Sequence, residues 1–227
     1  MATTNLYVPN CGEKALLRAI IVSEVVYMGL YGVEIQPDGN TTINTITEIT
    51  CDGNYAPKEL KNELADKKTA DKWYVYTNSD GKAEAQYGLD DQPQEWEFNN
   101  DDVDDNQTAY GIFLYGWRLK FKTGSGEIRV GDTVAGATSG ATAVVTQVQL
   151  LSGSWGGGDA KGILIIKAPN GTFQDGENLQ VSGANKAVAD GGAYKELISV
   201  GAFSEPQAID TNGQKIRVIP KRTMSTG

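Results

Sequence analysis

The sequence predicts a mainly β protein: an antiparallel sandwich or barrel-like domain with one short N-terminal helix and a small inserted β module. Three observations predict it. Most apolar segments are short and alternate apolar with polar side chains, glycine is frequent at 27 of 227 residues and punctuates those segments with turns, and one segment alone repeats apolar residues at helical spacing.

That segment is Lys14 to Val22, where Leu16, Leu17, Ile20 and Ile21 recur at spacings of three and four and read as a helix face turned to the core. Val25 to Ile35 follows, rich in Val, Tyr and Leu, and the turn residues Pro37-Asp38-Gly39-Asn40 close it as a strand. Ile43, Ile46 and Ile49 sit among threonines; their β-branching favours a strand, while their spacing of three opposes clean alternation. Residues 55–71 carry no decisive pattern. Trp73 to Tyr76, Gln94 to Phe98 and Tyr110 to Phe121 alternate, as strands of a sheet with one wet face do.

From Thr123-Gly124-Ser125-Gly126 the texture changes to glycine-dense and aromatic-poor, and it changes back at Tyr194. The expectation is a discontinuous domain of residues 1–123 and 194–227, with residues 124–193 as the insert, a small barrel or sandwich. Its expected strands are Glu127 to Val134, Ala141 to Leu150, Gly162 to Ala168, Asn178 to Val181 and Lys186 to Ala189. The final alternating run, Gly213 to Ile219, is expected to complete the first sheet.

Composition narrows the function. With 29 acidic and 20 basic residues the formal charge is −9, which repels a phosphate backbone and argues against nucleic acid as a partner. The chain has no histidine, which removes the usual imidazole base, the Ser-His and Cys-His nucleophile pairs and His-containing metal sites. Cys11 and Cys51 are not in a Cys-x-x-Cys pair and read as reduced apolar residues, although isolated cysteines say nothing of their separation and a bridge stays open. Ala15 to Val26 is interrupted by Arg18, Ser23 and Glu24 and follows no basic leader, so neither a membrane span nor export is expected.

No catalytic, cofactor or metal residues are assigned. Asp101-Asp102-Val103-Asp104-Asp105-Asn106 could collect oxygen ligands but lacks the glycine and terminal glutamate of a calcium loop, so it reads as a solvated acidic loop. Glu95 and Glu97 share a strand face, yet no second buried acid accompanies them. Gly153-Ser-Trp-Gly-Gly-Gly158 lacks the Gly-Lys-Ser/Thr and helix of a phosphate loop and reads as a hairpin tip, on which Trp155 stands partly exposed as a candidate anchor for a protein or a sugar ring. The basic residues Lys215, Arg217, Lys221 and Arg222 read first as a solvated tail, and otherwise as a docking element for an acidic neighbour.

Several outer segments resemble a family of small bacteriophage virion proteins, the capsid decoration or cement proteins. They are Val8-Pro9-Asn10 with Gly12-Glu13-Lys14 and Leu16-Leu17, Asn54-Tyr-Ala-Pro-Lys58, Tyr110-Gly-Ile-Phe-Leu114, and Phe203, Pro206, Ile209, Gly213 and Ile216 to Pro220, in that order over roughly half the chain. The insert departs from that pattern; through Gly131-Asp-Thr-Val134, Ser139-Gly-Ala-Thr-Ala143 and Gly171-Thr-Phe-Gln-Asp-Gly-Glu177 it is similar to segments of phage capsid and tail-fibre proteins. The resemblance implies a non-enzymatic structural protein, made in the bacterial cytoplasm and placed on the capsid surface. Its partners would be the major capsid protein and copies of itself, without nucleic acid or membrane. Leu6, Tyr7, Val8 and Pro9, with Trp155, Arg217, Lys221 and Arg222, are the candidate contacts. A tail, adaptor or fibre component with a receptor- or glycan-binding insert is the alternative.

Overall fold

The computed structural model describes residues 10–51, 53–99 and 107–223, with the side chains of Asn10 and Cys11 excepted. It is 49% strand and 7% helix, with antiparallel sheets packed in a sandwich-like fold and the helix near the N-terminus, as the sequence predicts. Among the described residues one α-helix, α1 (Asn10–Ser23), precedes fifteen strands. These are β1 (Val26–Tyr31), β2 (Lys58–Leu60), β3 (Leu64–Ala65), β4 (Trp73–Thr77), β5 (Ala83–Tyr87), β6 (Gln94–Glu97), β7 (Thr108–Gly124) and β8 (Thr133–Gly136), followed by β9 (Thr142–Ser152), β10 (Ala160–Ile166), β11 (Asn178–Val181), β12 (Ala184–Ala189), β13 (Tyr194–Ala208), β14 (Lys215–Val218) and β15 (Lys221–Thr223). Two compact units result, the first from residues 1–36, 47–112 and 201–227, the second from 37–46 and 113–200. The long strands β7 and β13 contribute residues to both.

In the first unit α1 lies on the β15-β5-β4-β3 sheet, which is antiparallel apart from the two-residue parallel pair β3–β4. Leu17 and Ile21, one turn apart, are buried, and the buried carboxylate of Glu13 accepts the Ala83 N–H at 3.2 Å. The expected core face was wider: Leu16 and Ile20 remain 47% and 39% exposed. The four apolar positions span about 140° of helix circumference, and the sheet beneath takes only one side of that arc. Strand β5 escaped the sequence reading because Ala83 and Ala85 have little β propensity; both are fully buried.

The Asn54-Tyr-Ala-Pro-Lys58 motif ties this unit together. Tyr55 Oη accepts the Leu30 N–H of β1 at 3.0 Å and donates to Glu48 at 2.9 Å, Ala56 O accepts Trp96 Nε1–H of β6 at 2.9 Å, and Lys58 Nζ stands 5.7 Å from the Trp96 ring centroid. The C-terminal run does not complete the first sheet: β14 pairs with β6 as a separate two-stranded sheet, and β15 pairs with β5. Nor do the threonine-flanked isoleucines make a strand. Residues Ile43–Thr45 form a 3-10 turn, and Glu48 makes one isolated bridge to Tyr31, as a spacing of three rather than two would have it.

The second unit is a closed ring. Its strands follow the order β10-β9-β8-β11-β12-β7, and β10 returns to pair with β7 through Gly162↔Phe121 to Ile166↔Trp117, with every pairing antiparallel. A closed six-stranded barrel has no free sheet edge. Its core holds Leu119, Phe121, Ile128, Val134, Val145, Leu164, Phe173 and Leu179. The glycine-dense residues 124–193 lie within this second unit, which also takes in residues 37–46, 113–123 and 194–200. One stave is the inner part of β7, whose aromatic texture resembles the first unit, and the ring cannot close without it. Of the expected strands β11 matches residue for residue, β9, β10 and β12 shift by a few residues, and Glu127 to Val134 shortens to β8 because residues 129–132 form a turn closed by Asp132 N–H to Arg129 O.

Candidate interaction surfaces

Two apolar surfaces stand open on the described residues. On α1, the side chains of Leu16 and Ile20 lie one turn apart, with exposed Ala15, Ala19 and Val22 around them. An apolar stripe of this kind on an otherwise packed helix marks an interaction face more often than a lone exposed leucine does. On the barrel, β9 carries Leu150 and Leu151 just before its end at Ser152, 47% and 68% exposed, at the hairpin that carries Trp155. Adjacent leucines in a strand point to opposite faces, so a pair of them cannot both face a core. That signal was present in the sequence and went unused.

Trp155 is less free than a glycine-flanked indole suggests. Its ring stacks on Phe121 with centroids 5.0 Å apart and planes 8° apart, and it is half-buried against the barrel core. Glycine makes this stack possible: a Cβ on Gly124 would lie 2.5 Å from Trp155 Cζ3, and one on Gly162 would lie 2.9 Å from the Phe121 ring. The tip itself is pinned, with Ser154 N–H donating to Asp159 Oδ1 at 2.9 Å and Gly157 N–H to Ser154 Oγ at 3.1 Å. The hairpin thus carries an exposed leucine on each face beside a seated tryptophan.

The glycine-rich motifs of the module converge on one carboxylate. Glu177, only 5% exposed, receives the N–H groups of Thr138 (3.0 Å), Ser139 (2.9 Å) and Gln174 (2.7 Å) and the Ser139 hydroxyl (2.8 Å). Burial alone would push its carboxyl up; the four donors outweigh it and hold the group below the ordinary glutamate value. A side chain at Gly136 would collide with this carboxylate, its Cβ 2.4 Å from Glu177 Oε1. The Ser139-Gly-Ala-Thr and Gly171 to Glu177 motifs are therefore halves of one internal clasp.

Neither a family model, nor a curated protein, nor a solved structure matches this chain.

The C-terminal cations are held in strands rather than in a solvated tail. Lys215 contacts Glu95 at 2.7 Å and Glu97 at 2.9 Å, Arg217 contacts Glu95 at 2.6 Å, and Lys221 stands 3.5 Å from Glu84. The hydrogen bonds from Lys215 and Arg217 hold the Glu95 carboxyl below its ordinary range, and those that Lys215 donates to Glu95 and Glu97 raise Lys215. Glu95 and Glu97 thus form a cross-strand clamp on β14. Arg222 is half-buried; burial pushes its guanidinium down and the Glu24 charge opposes that. As an interface this region offers little uncompensated charge. Cys51 is a half-buried thiol. The candidate contacts Leu6, Tyr7, Val8 and Pro9, the acidic run Asp101 to Asn106 and the Cys11 side chain of the Cys11 to Cys51 pair lie outside the described residues.

Proposed function

We propose that this chain is a non-enzymatic structural protein of a bacteriophage particle, a capsid cement or decoration protein that binds the major capsid protein shell and stabilises it. The observation that carries the reading is the pairing of well-packed scaffolds with small open apolar surfaces: Leu16 and Ile20 on α1, and Leu150 and Leu151 on the barrel hairpin. Burying each such side chain on a neighbour contributes about 1–2 kcal/mol, which is weak for one contact and strong when repeated over a lattice. The virion motifs along α1 and β7 support the same assignment, as does the order in which they occur.

In this reading the chain sits on the capsid surface after synthesis in the host cytoplasm, with the shell protein and further copies of itself as partners, and without nucleic acid or membrane. A tail, adaptor or fibre component is the second reading; the observation that favours it is the pair of exposed leucines beside the hairpin tip, apolar surface that a receptor would bury. The two differ in copy number. Quantitative mass spectrometry of purified particles should give a simple near-stoichiometric ratio to the major capsid protein for a cement protein. A few copies per particle would overturn that role in favour of the tail or vertex.

A further inference from the structure

The chain contains two Asn-Gly pairs, Asn170-Gly171 and Asn212-Gly213, and the fold treats them differently. Asparagine before glycine is chemically labile, because the glycine nitrogen can attack the preceding carboxamide carbon with no Cβ in its way. All four residues are exposed, so the difference lies in the attacking nitrogen. Gly213 N–H donates to Phe98 O at 2.8 Å, and attack first has to break that bond. Gly171 N–H has no hydrogen-bond partner among the described residues. Its peptide unit is also polarised from the other side, since Asn170 O accepts Thr142 N–H at 2.9 Å. Electron density drawn toward that oxygen makes the Gly171 N–H more acidic, and the deprotonated nitrogen is the nucleophile. Position 171 favours glycine on its own account: φ is +92°, and a Cβ there would lie 3.2 Å from Ala141 Cα.

We propose that Asn170 is a site of spontaneous deamidation and that its isoaspartyl product loosens the Glu177 clasp. Gly171 N bonds to Asn170 Cγ, and the carboxamide nitrogen leaves as ammonia with the Gly171 proton, which closes a succinimide ring. Water then adds to one of the two ring carbonyls and a C–N bond breaks. Opening at Cγ leaves aspartate. Opening at the main-chain carbonyl leaves isoaspartate, whose main chain runs through Cβ and Cγ and is one methylene longer. Both products carry a new carboxylate, and water is the only co-reactant. The extra methylene falls between two hydrogen bonds: Asn170 N–H donates to Thr142 O at 2.8 Å while Asn170 O accepts from Thr142 N–H, and the longer chain cannot keep both in register. That bridge joins the Ser139-Gly-Ala-Thr-Ala143 motif to the start of the Gly171 to Glu177 motif, the two segments that close on Glu177. The site lies wholly in the second unit, and its chemistry does not depend on the role proposed above.

The test ages the whole protein at mildly alkaline pH and body temperature, beside a sample held in denaturant, and follows both Asn-Gly peptides by mass spectrometry after digestion. In the folded protein the Asn170 peptide should convert to its separable Asp and isoAsp forms about fivefold faster than the Asn212 peptide, the factor set by breaking one ordinary hydrogen bond. In denaturant, where Gly213 N–H is released, the two rates should converge. Hydrogen exchange should then be faster in aged than in fresh protein for peptides covering residues 139–143 and 171–177, and unchanged for peptides of the first unit. Asn170→Gln should age without that change, because glutamine has to close a larger, slower ring. The peptide rates need no variant, so they decide the matter even should Asn170→Gln fold poorly. Asn212 converting as fast as Asn170 in the folded protein, or Asn170 staying intact there, would overturn the site. Conversion of Asn170 with unchanged exchange in the barrel would overturn the loosening of the clasp.

Discussion

In the barrel of the second unit, a single buried carboxylate collects four hydrogen bonds from two separate loops, whereas in the first unit the buried atoms Tyr31 Oη, Gln86 Oε1 and Arg222 Nη1 have no hydrogen-bond partner. Among the described residues the second unit contains no such orphan. The two also build their cores differently. The first buries Trp73, Trp96 and Tyr31, whose polar tips need partners; the barrel core of the second is mostly aliphatic and seats Phe121 and Trp155 on glycine backbone. The difference teaches that glycine density in the module is a packing device, and that its loops are fastened from inside. A module fastened this way should unfold as a unit of its own.

The strongest way to break this contrast is to remove its clasp. Glu177→Ala strands three buried N–H donors and should destabilise the barrel by about 3–5 kcal/mol. Denaturant unfolding followed by Trp155 fluorescence, against Trp73 and Trp96 of the first unit, should show the barrel signal moving to lower denaturant on its own. If both signals moved together the two units would unfold as one, and the self-contained module would be refuted.

Acid probes the same group. The Glu177 carboxyl is depressed in the folded state, so its contribution is fully present above the unfolded value of about 4.3 and is lost as pH falls through the lower folded value. Barrel stability should therefore decline below that pH. Glu177→Gln, measured in parallel melts, should flatten the decline, and an unchanged slope would show that other carboxylates carry it. Glu84 and Glu95 of the first unit are depressed too, the one against its burial by hydrogen bonds from Tyr76 and Asn78, the other by Lys215 and Arg217. The first unit should keep its acid sensitivity in this variant.

Much of this architecture was legible because it rests on periodicity. The alternation in Trp73 to Tyr76 and Gln94 to Phe98, the 3,4 spacing of α1 and the turn-bounded runs of the module each reflect a local rule, and each formed the expected type of element. What escaped depended on partners distant in sequence. Strand β5 is fixed by α1 above it and β4 beside it rather than by its own alanines. The closing of the ring through β10 and β7 is a long-range pairing that no local pattern specifies. The surfaces were harder still. A periodic stripe says which residues are apolar, but whether Leu16 or Leu17 meets the core depends on the orientation of the helix on its sheet. The burial of Tyr31 depends on Gly111 and Gly201 meeting beside its ring, which sequence spacing does not disclose.

The glycine seats give a mid-sized test. Gly124→Ala drives a methyl into Trp155 and to 2.9 Å from Ala160 Cβ, and should cost about 1–3 kcal/mol by overpacking. Trp155→Ala removes the stack on Phe121 and should cost about 2 kcal/mol, less than for a fully buried indole because the ring is half-exposed. Thermal melts of the two variants decide whether Trp155 is first a packing residue. A stable Trp155→Ala protein that failed to bind particles would restore it as a contact anchor.

The smallest expected effect on stability is also the sharpest test of the outer surfaces. Leu16→Ser with Ile20→Ser changes two half-exposed side chains that the sheet does not cover, and Leu151→Ser changes one that the barrel core does not need. Each set should shift stability by no more than about 0.5 kcal/mol. Cosedimentation with particles lacking the protein separates the faces: loss of binding in the α1 variant with retention in the hairpin variant would assign the shell contact to the first unit. The reverse would assign it to the barrel. Full binding by both variants would remove the apolar surfaces as the basis of adhesion, since a side chain that neither the fold nor the partner buries has no energetic role in either.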